Sequence, residues 1–256
     1  MRPVARRALV TGGAVGIGRA ICAALMAEGW QVTAADVSPA VRAALTSPLF
    51  LGVVCDVTRE DEVAAAVTAA AGETKTLDLL VCNAGIFTAG QPIADLDGAV
   101  WDRSLAVNLT GTMRVLRAAI PFLKAAAASG SDASAVIIGS RNVAAPGPGA
   151  AAYSVAKAGV TQLARVAALE LAADGVRVNV VHPDAVFDTD LWTPEALARS
   201  AARYGLTVDE YKRKNLMKSE ITSADVAAAV VALAGPVFAR TTGAQIPVDG
   251  GNDRVI

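Results

Sequence analysis

Tyr153 and Lys157 stand four residues apart in AYSVAKAGV, residues 152–160, and Ser140 precedes the tyrosine by thirteen. Four residues is slightly more than one helical turn, so on a helix the phenol and the ammonium share a face. That pair could move a proton. A free phenol has a pKa of about 10, so service as a proton acceptor near neutrality means losing a few units, at about 1.4 kcal/mol for each. A neighbouring cation favours the phenolate, and Lys157 is the cation within reach. A helix with a solvated lysine and a packed tyrosine would show the same two residues.

A second constellation lies near the N-terminus, in TGGAVGIG, residues 11–18. Gly12, Gly16 and Gly18 fall where a tight turn, close approach of backbone to a pyrophosphate and close helix–strand packing are needed. A helix starting there would add free amides and a positive dipole end. The spacing is G-x3-G-x-G rather than G-x-G-x-x-G, so its weight comes from its place after a strand. About 20 residues on, Asp36 ends a second apolar run. A carboxylate there can accept from both adenosine ribose hydroxyls and repels a 2′-phosphate, although an Asp capping the next helix would look the same. No Arg or Lys occupies 12–15 or 36–41. Asp56, in CDVT, is placed to receive an adenine amino group or simply to form a turn.

Positioning these groups requires a frame. Short β-branched runs alternate with longer Ala-rich segments, the pattern of a parallel sheet covered by helices. Strands are predicted near 7–11, 31–36, 51–55, 78–82, 135–139, 176–181 and 244–248, and helices at 17–28, 59–71, 98–127, 151–173, 194–216 and 223–234. Thr222 or Ser223 is set to cap the last, with Asp225 adding negative charge to its first turn. No repeat or linker divides the chain, so residues 1–256 are read as one dinucleotide-binding catalytic domain.

Composition narrows the functions. With 256 residues, 54% hydrophobic and 18% charged, the chain can bury a large core. Its 23 basic and 24 acidic residues leave a net charge of -1, so no global field attracts nucleic acid or a membrane surface. Cys22, Cys55 and Cys82 are far apart and in no metal-ligand spacing, which points to buried thiols in a reducing cytoplasm and to no metal. Arg6-Arg7 is followed by too short an apolar run for a signal peptide, and no run approaches the roughly 18 residues of a membrane span.

TGGAVGIG, Asp56, the CNAG of 82–85, Asn108 in VNLTG, Ser140, and Tyr153 with Lys157 resemble, in order and spacing, the short-chain dehydrogenase/reductase family over essentially the whole chain. The resemblance implies a single-domain, doubly wound α/β Rossmann fold, with a seven-stranded parallel sheet and helices on both faces. It implies a catalytic set of Asn108, Ser140, Tyr153 and Lys157. In that set Tyr153 exchanges the proton, Ser140 donates to the substrate oxygen, Lys157 also holds the nicotinamide ribose, and Asn108 binds a relay water. NAD is the expected cofactor. It would contact Gly12, Gly16, Ile17, Gly18, Asp36, Asp56, Val57, Asn83, Ala84, Gly85, Tyr153, Lys157, Pro183 and Val186. A homotetramer built on the helices near 100–125 and 151–173 is also implied.

After the sixth strand the chain departs from that family's pattern. It reads HPDAVFDTDLW, with Asp184 where Gly is usual and Thr189 shifted by one, which leaves its carboxamide contact open. His182 is read as a packed strand-end residue. GSRNVAAPGPGAAAYS, HPDAVF and ARYGLTVDEYKRKNL resemble the dehydrogenase half of bacterial fusions with rhamnulose-1-phosphate aldolase, which implies a small hydroxylated substrate: a polyol, sugar or hydroxyaldehyde. A substrate lid is expected near 190–218, carrying Trp192, Tyr204 and Tyr211. Its Lys212, Arg213, Lys214 and Lys218 are read as a solvated face or, for one of them, a contact to an anionic substrate. Arg141, Asn142, Asp184 and Trp192 are the candidate substrate contacts, with a structural ion pair as the other use of Arg141. An NADPH-dependent ketoreductase of acyl or aliphatic ketones and a catalytically silent NAD(H) redox sensor are the competing functions. The missing phosphate-binding cation disfavours the first, and the intact four-residue set disfavours the second.

Overall fold

The computed structural model describes residues 5–87 and 90–252; the ends of the expected 1–256 domain, 1–4 and 253–256, lie outside the described residues. Seven strands form one parallel sheet: β1 (Arg7–Thr11), β2 (Gln31–Asp36), β3 (Phe50–Val54), β4 (Leu79–Cys82), β5 (Ser134–Ile138), β6 (Arg177–Pro183) and β7 (Gln245–Val248). They lie in the order β3-β2-β1-β4-β5-β6-β7. Ala8 of β1 faces Val32 of β2 on one side and Leu79 of β4 on the other, so the strand order reverses between β1 and β4. Ligands of open α/β sheets bind at that crevice, outside the carboxyl ends of the strands.

The strands read as nearly unbroken apolar runs because both faces are covered. Alternation divides them between two cores. Leu9 packs with Val63, Leu116 and Val160 on one face, beneath α2 (Glu60–Ala71), α4 (Thr112–Ala128) and α5 (Ala151–Leu171). Ala8 and Val10 pack with Ile21, Leu25 and Val230 on the other, beneath α1 (Gly16–Ala27) and α8 (Ser223–Ala234). Thr222 caps α8 in a reciprocal capping box with Asp225.

Two expected helices are interrupted. The segment predicted as one helix over 98–127 comprises α3 (Gly98–Leu105), a π-helical turn at Ala106–Gly111, and α4. Asn108 sits in that turn, where its side chain exchanges hydrogen bonds with the Ile86 backbone and Thr112 Oγ1 donates to its carbonyl at 2.8 Å. Side-chain bonds of this kind compensate a wide turn, and π-turns gather at functional sites. The segment predicted over 194–216 splits into α6 (Pro194–Arg203) and α7 (Val208–Lys212). Gly205, at φ 66°, ends α6 with bonds from its amide to Ala202 and from Leu206 to Ala201, and Thr207 then caps α7 in a box with Glu210. Helical periodicity runs through such a stop because the flanking side chains still face one core.

Candidate active site

The glycine turn after β1 is shaped for close approach. Gly12 has φ 66°, and a Cβ there would stand 2.8 Å from the Ala84 Cα; a Cβ on Gly18 would stand 2.0 Å from the Gly12 carbonyl oxygen. Neither position admits a side chain. The Asn83 amide donates to the carbonyls of Thr11 and Gly12 at 3.0 Å, and Thr11 Oγ1 accepts from the backbone of Asn83 and Ala84 at 3.1 Å. The turn after β4 is therefore bolted to the turn after β1 and forms the floor of a cleft. Gly85 belongs to that floor, since a Cβ on it would meet Asn108 Oδ1 at 2.8 Å. Ile17 and Val57 pack on opposite cores at its margins.

Asp36 lines the same cleft as Gly12, Asp56, Val57 and Gly85. Its carboxylate accepts from Ala14 N at 3.1 Å and Ser38 N at 2.9 Å. Turn capping and cleft lining, set out above as alternatives, are both present, because a carboxylate has about four acceptor sites and these bonds use two. Asp56 accepts from the amide and hydroxyl of Thr58, both at 2.8 Å. Burial opposes its charge, but those bonds and the guanidinium groups of Arg103 and Arg59 outweigh it and hold the carboxyl below its usual range. Arg103, also in the cleft wall, carried no sequence signal.

Ser140 and Lys157 are buried beside the carboxyl end of β5, and Tyr153 is partly buried with them. Ser140 caps a short 3-10 turn, its Oγ accepting from Asn142 N at 3.1 Å, which leaves the hydroxyl hydrogen for another acceptor. Lys157 Nζ donates to the Ile138 carbonyl at 2.8 Å, and burial pushes its pKa down to about 8. Burial raises the Tyr153 phenol, and the Ser140 hydroxyl draws it back. Lys157, expected to favour the phenolate, is not among the groups that lower it here: its own ammonium is desolvated, and its nitrogen lies 5.7 Å from the ring centre. Phe87 meets Tyr153 edge-on at 5.1 Å and fixes the ring, a contact that no sequence spacing announces.

Asn108 is tied into the floor of the cleft. Its amide nitrogen donates to the Ile86 carbonyl at 3.0 Å and to Ser104 Oγ at 3.2 Å, and its oxygen accepts from Ile86 N at 2.9 Å. Both amide hydrogens are committed and the side chain braces the floor under Gly85, while its oxygen keeps a second lone pair. His182 also braces. Nδ1 lies 3.1 Å from Ser140 N and 3.0 Å from its carbonyl, and Nε2 lies 2.6 Å from Gln245 Oε1. Either tautomer keeps the ring on the backbone of Ser140, so the strand-end residue orients the serine.

Beyond β6, Arg141 Nε stands 2.7 Å from Asp184 Oδ1, and the Asn252 amide donates to the other oxygen of Asp184. Of the uses considered for Arg141, the ion pair is present. The Asn142 side chain makes no hydrogen bond among the described residues. Trp192 packs on Phe187 at 5.0 Å and on Tyr211 at 6.2 Å, in an aromatic cluster under α6 and α7. Pro183 ends β6 and Val186 is buried in the core. Thr189 donates to the Val186 carbonyl at 2.9 Å and lies 3.2 Å from where a Gly16 Cβ would be, so it folds over the glycine turn. Asp188 accepts from Ser223 N and Oγ and ties this segment to α8.

Cys22 and Cys82 are pushed up to about 12 by burial, and Cys55 to about 11 by burial and the nearby Glu62, Asp56 and Asp36 carboxylates. Among the described residues no group of His, Cys, Asp and Glu is placed to hold a metal, and no helix is long and apolar enough to cross a membrane.

The chain is similar to known proteins. Residues 6–200 match the model of the short chain dehydrogenase family. The chain is 35% identical over 257 residues to the uncharacterized oxidoreductase YuxG of Bacillus subtilis, covering 95% of this chain but only 37% of that longer protein. It is 37% identical to cis-4-hydroxycyclohexanecarboxylate dehydrogenase of Sinomonas cyclohexanicum, across 96% of each. Among solved structures, a 3-ketoacyl-(acyl-carrier-protein) reductase from Brucella melitensis complexed with NADH superposes with a TM-score of 0.85 at 26% identity, covering 97% of this chain and 98% of that one. An actinorhodin polyketide ketoreductase with NADPH superposes with a TM-score of 0.84 at 29% identity, covering 97% of each. With the family model matching residues 6–200 and a relative 37% identical across 96% of both chains, the chain belongs to the short-chain dehydrogenase family of oxidoreductases.

Proposed function

We propose that the protein is an NAD-dependent dehydrogenase of a small polar alcohol, with polyols, sugars and hydroxyaldehydes as the class to test first. The observation that carries this reading is the convergence of Ser140, Tyr153 and Lys157 at the carboxyl end of β5 with a glycine cradle whose wall includes Asp36. The cradle fits a dinucleotide, because the cleft lined by Gly12, Asp36, Asp56, Val57 and Gly85 opens where β1, β2 and β4 end, beside the N-terminus of α1. Bound NAD would supply the acceptor for hydride from the alcohol carbon.

The chain's own part is position and protons. Ser140, its oxygen already accepting from Asn142, has a hydrogen to donate to the substrate oxygen. Tyr153 takes the hydroxyl proton, and Lys157, with one of its three donors on Ile138, has two left for the ribose and the tyrosine side. A phenol raised by burial needs positive charge beside it to accept that proton, which ties turnover to the oxidised cofactor. Asp36 supports NAD over NADP, because a carboxylate at the end of β2 repels a 2′-phosphate. The NADH complex of the Brucella structure agrees, whereas the NADPH complex of the actinorhodin enzyme shows that the fold alone does not choose.

The uncommitted side chain of Asn142, next to Ser140, supports a substrate with more than one polar group, because an unpaired amide desolvated by a plain ketone costs about 1–3 kcal/mol. Leu169, 82% exposed, and Val166 on the outer face of α5 support assembly through that helix into the expected homotetramer. The test is NAD and NADP reduction across polyols, aldoses, hydroxyaldehydes and simple secondary alcohols. Turnover of the polar compounds with NAD is expected. Preference for NADP would favour the ketoreductase, and NADH binding with no turnover of any alcohol would favour the sensor.

A further inference from the structure

Four basic residues lie within 212–218, and three of them are accounted for. Lys212 pairs with Glu220 at 3.0 Å, Arg213 with Asp209 at 3.3 Å, and Lys218 is exposed at φ 52°. Lys214 turns inward. Its nitrogen lies 4.7 Å from the centre of the Tyr204 ring and 4.8 Å from that of Tyr211, two rings stacked 5.8 Å apart, and it has no hydrogen bond and no carboxylate within ion-pair distance among the described residues. Arg141 is the cation it feels. Burial first and Arg141 second lower the Lys214 pKa, with Asp184 opposing.

Arg141 is itself incompletely satisfied. Its side chain is 19% exposed and has Asp184 as its ion-pair partner, yet it makes no hydrogen bond among the described residues, so both terminal guanidinium nitrogens remain available. Asp184 is shared, because it also accepts from Asn252. The cluster thus holds two cations against one carboxylate, partly out of water, in the segment that follows Ser140 directly. Like charges brought together away from solvent are costly unless an anion joins them. A planar fork with two free nitrogens suits a carboxylate, and the lysine adds a point charge. The surplus of one positive charge matches one negative charge.

We infer that Arg141 and Lys214 bind a carboxylate of the substrate, which makes the protein a dehydrogenase of hydroxy acids. The inference rests on the alcohol dehydrogenase reading above and narrows it: the hydroxyl sits at Ser140 and Tyr153, and the acid group meets the Arg141 fork and the Lys214 ammonium, which Tyr204 and Tyr211 hold over their ring faces. The carboxylate in the name of the Sinomonas relative is consistent with this pairing.

The experiment separates the two readings by measuring binding and turnover independently. Isothermal titration of the NADH-loaded protein with cyclohexanecarboxylate and with cyclohexanecarboxamide should show the acid binding at least about tenfold tighter, a margin that shrinks between about 50 and 500 mM salt as the charges are screened. Lys214→Met should bring that ratio near one, and Lys214→Arg should restore most of it. In parallel, NAD reduction is followed with 4-hydroxycyclohexanecarboxylate and gluconate against 4-methylcyclohexanol and sorbitol, and the acids should win in kcat/KM. Equal binding of acid and amide by the wild type overturns the anion site. So does tighter binding of cyclohexyl phosphate than of the carboxylate, since it contradicts the single-charge match. Oxidation of neutral alcohols without an acid preference overturns the site and leaves the dehydrogenase. A clear acid preference in binding with no NAD reduction by any compound overturns the dehydrogenase reading instead, and the hydroxy-acid activity with it.

Discussion

The Lys157 ammonium donates to the carbonyl of Ile138 at 2.8 Å and stands 5.7 Å from the centre of the Tyr153 ring. One bond to β5 fixes the lysine along α5, and the one-turn spacing then fixes the tyrosine above it. The tyrosine–lysine pair is therefore registered to the strand whose end leads into Ser140. Catalysis and stability pull on this lysine in opposite directions.

For Tyr153, the aromatic ring and the phenol oxygen are separable. Tyr153→Phe keeps the edge contact to Phe87 and removes the proton acceptor, so kcat should fall by at least about 10²-fold while NADH affinity changes little. Steady-state rates and fluorescence titration of NADH check both halves. Near-normal turnover would remove the tyrosine from the mechanism.

Lys157 costs stability below its folded pKa. Unfolded it titrates near the ordinary lysine value of 10.5, and folded at about 8, so between those values the unfolded chain binds more protons and stability rises with pH. Below pH 8 the desolvation cost is present in full. Lys157→Met should thus gain on the wild type most at pH 7, and the gap should narrow from pH 8 to 10.5, read by urea denaturation without cofactor. A gap independent of pH would show that the lysine is not desolvated.

Asp36 should set cofactor choice. A carboxylate about 4 Å from a phosphate charge, at an effective dielectric near 20, costs up to about 4 kcal/mol, and partial exposure reduces this to a preference for NAD of roughly 30-fold. Asp36→Asn keeps one acceptor oxygen, enough for one of the two bonds from Ala14 N and Ser38 N, and loses the charge, so the ratio of kcat/KM for NADP to that for NAD should rise at least about tenfold. An unchanged ratio would confine Asp36 to its turn.

Asn108 should be mainly structural. Asn108→Ala strips the Ile86 N–H and carbonyl of their partner in a buried site, at about 2–4 kcal/mol, which urea unfolding would register. Full stability with lost turnover would instead return the residue to a relay.

The sequence by itself determined the sheet, the glycine cradle, and the Ser140–Tyr153–Lys157 set. Each of these is local: strand alternation, a turn that excludes Cβ, and a one-turn helical spacing are written in neighbouring residues. Tertiary structure decided what distant residues do to one another. The π-turn at Asn108 exists because Ile86, 22 residues earlier, offers an N–H and a carbonyl to one amide. His182 braces Ser140 because β6 lies beside β5, and no spacing in the chain encodes that register. Arg141 found Asp184 in preference to solvent because β5 and β6 end side by side. Lys214 lies over Tyr204 and Tyr211 while Lys212 reaches Glu220, because α7 ends at Lys212 and the chain beyond it folds back on the aromatic pair. Side-chain charge is legible in a sequence; whether a partner stands opposite it is settled only when the chain has folded.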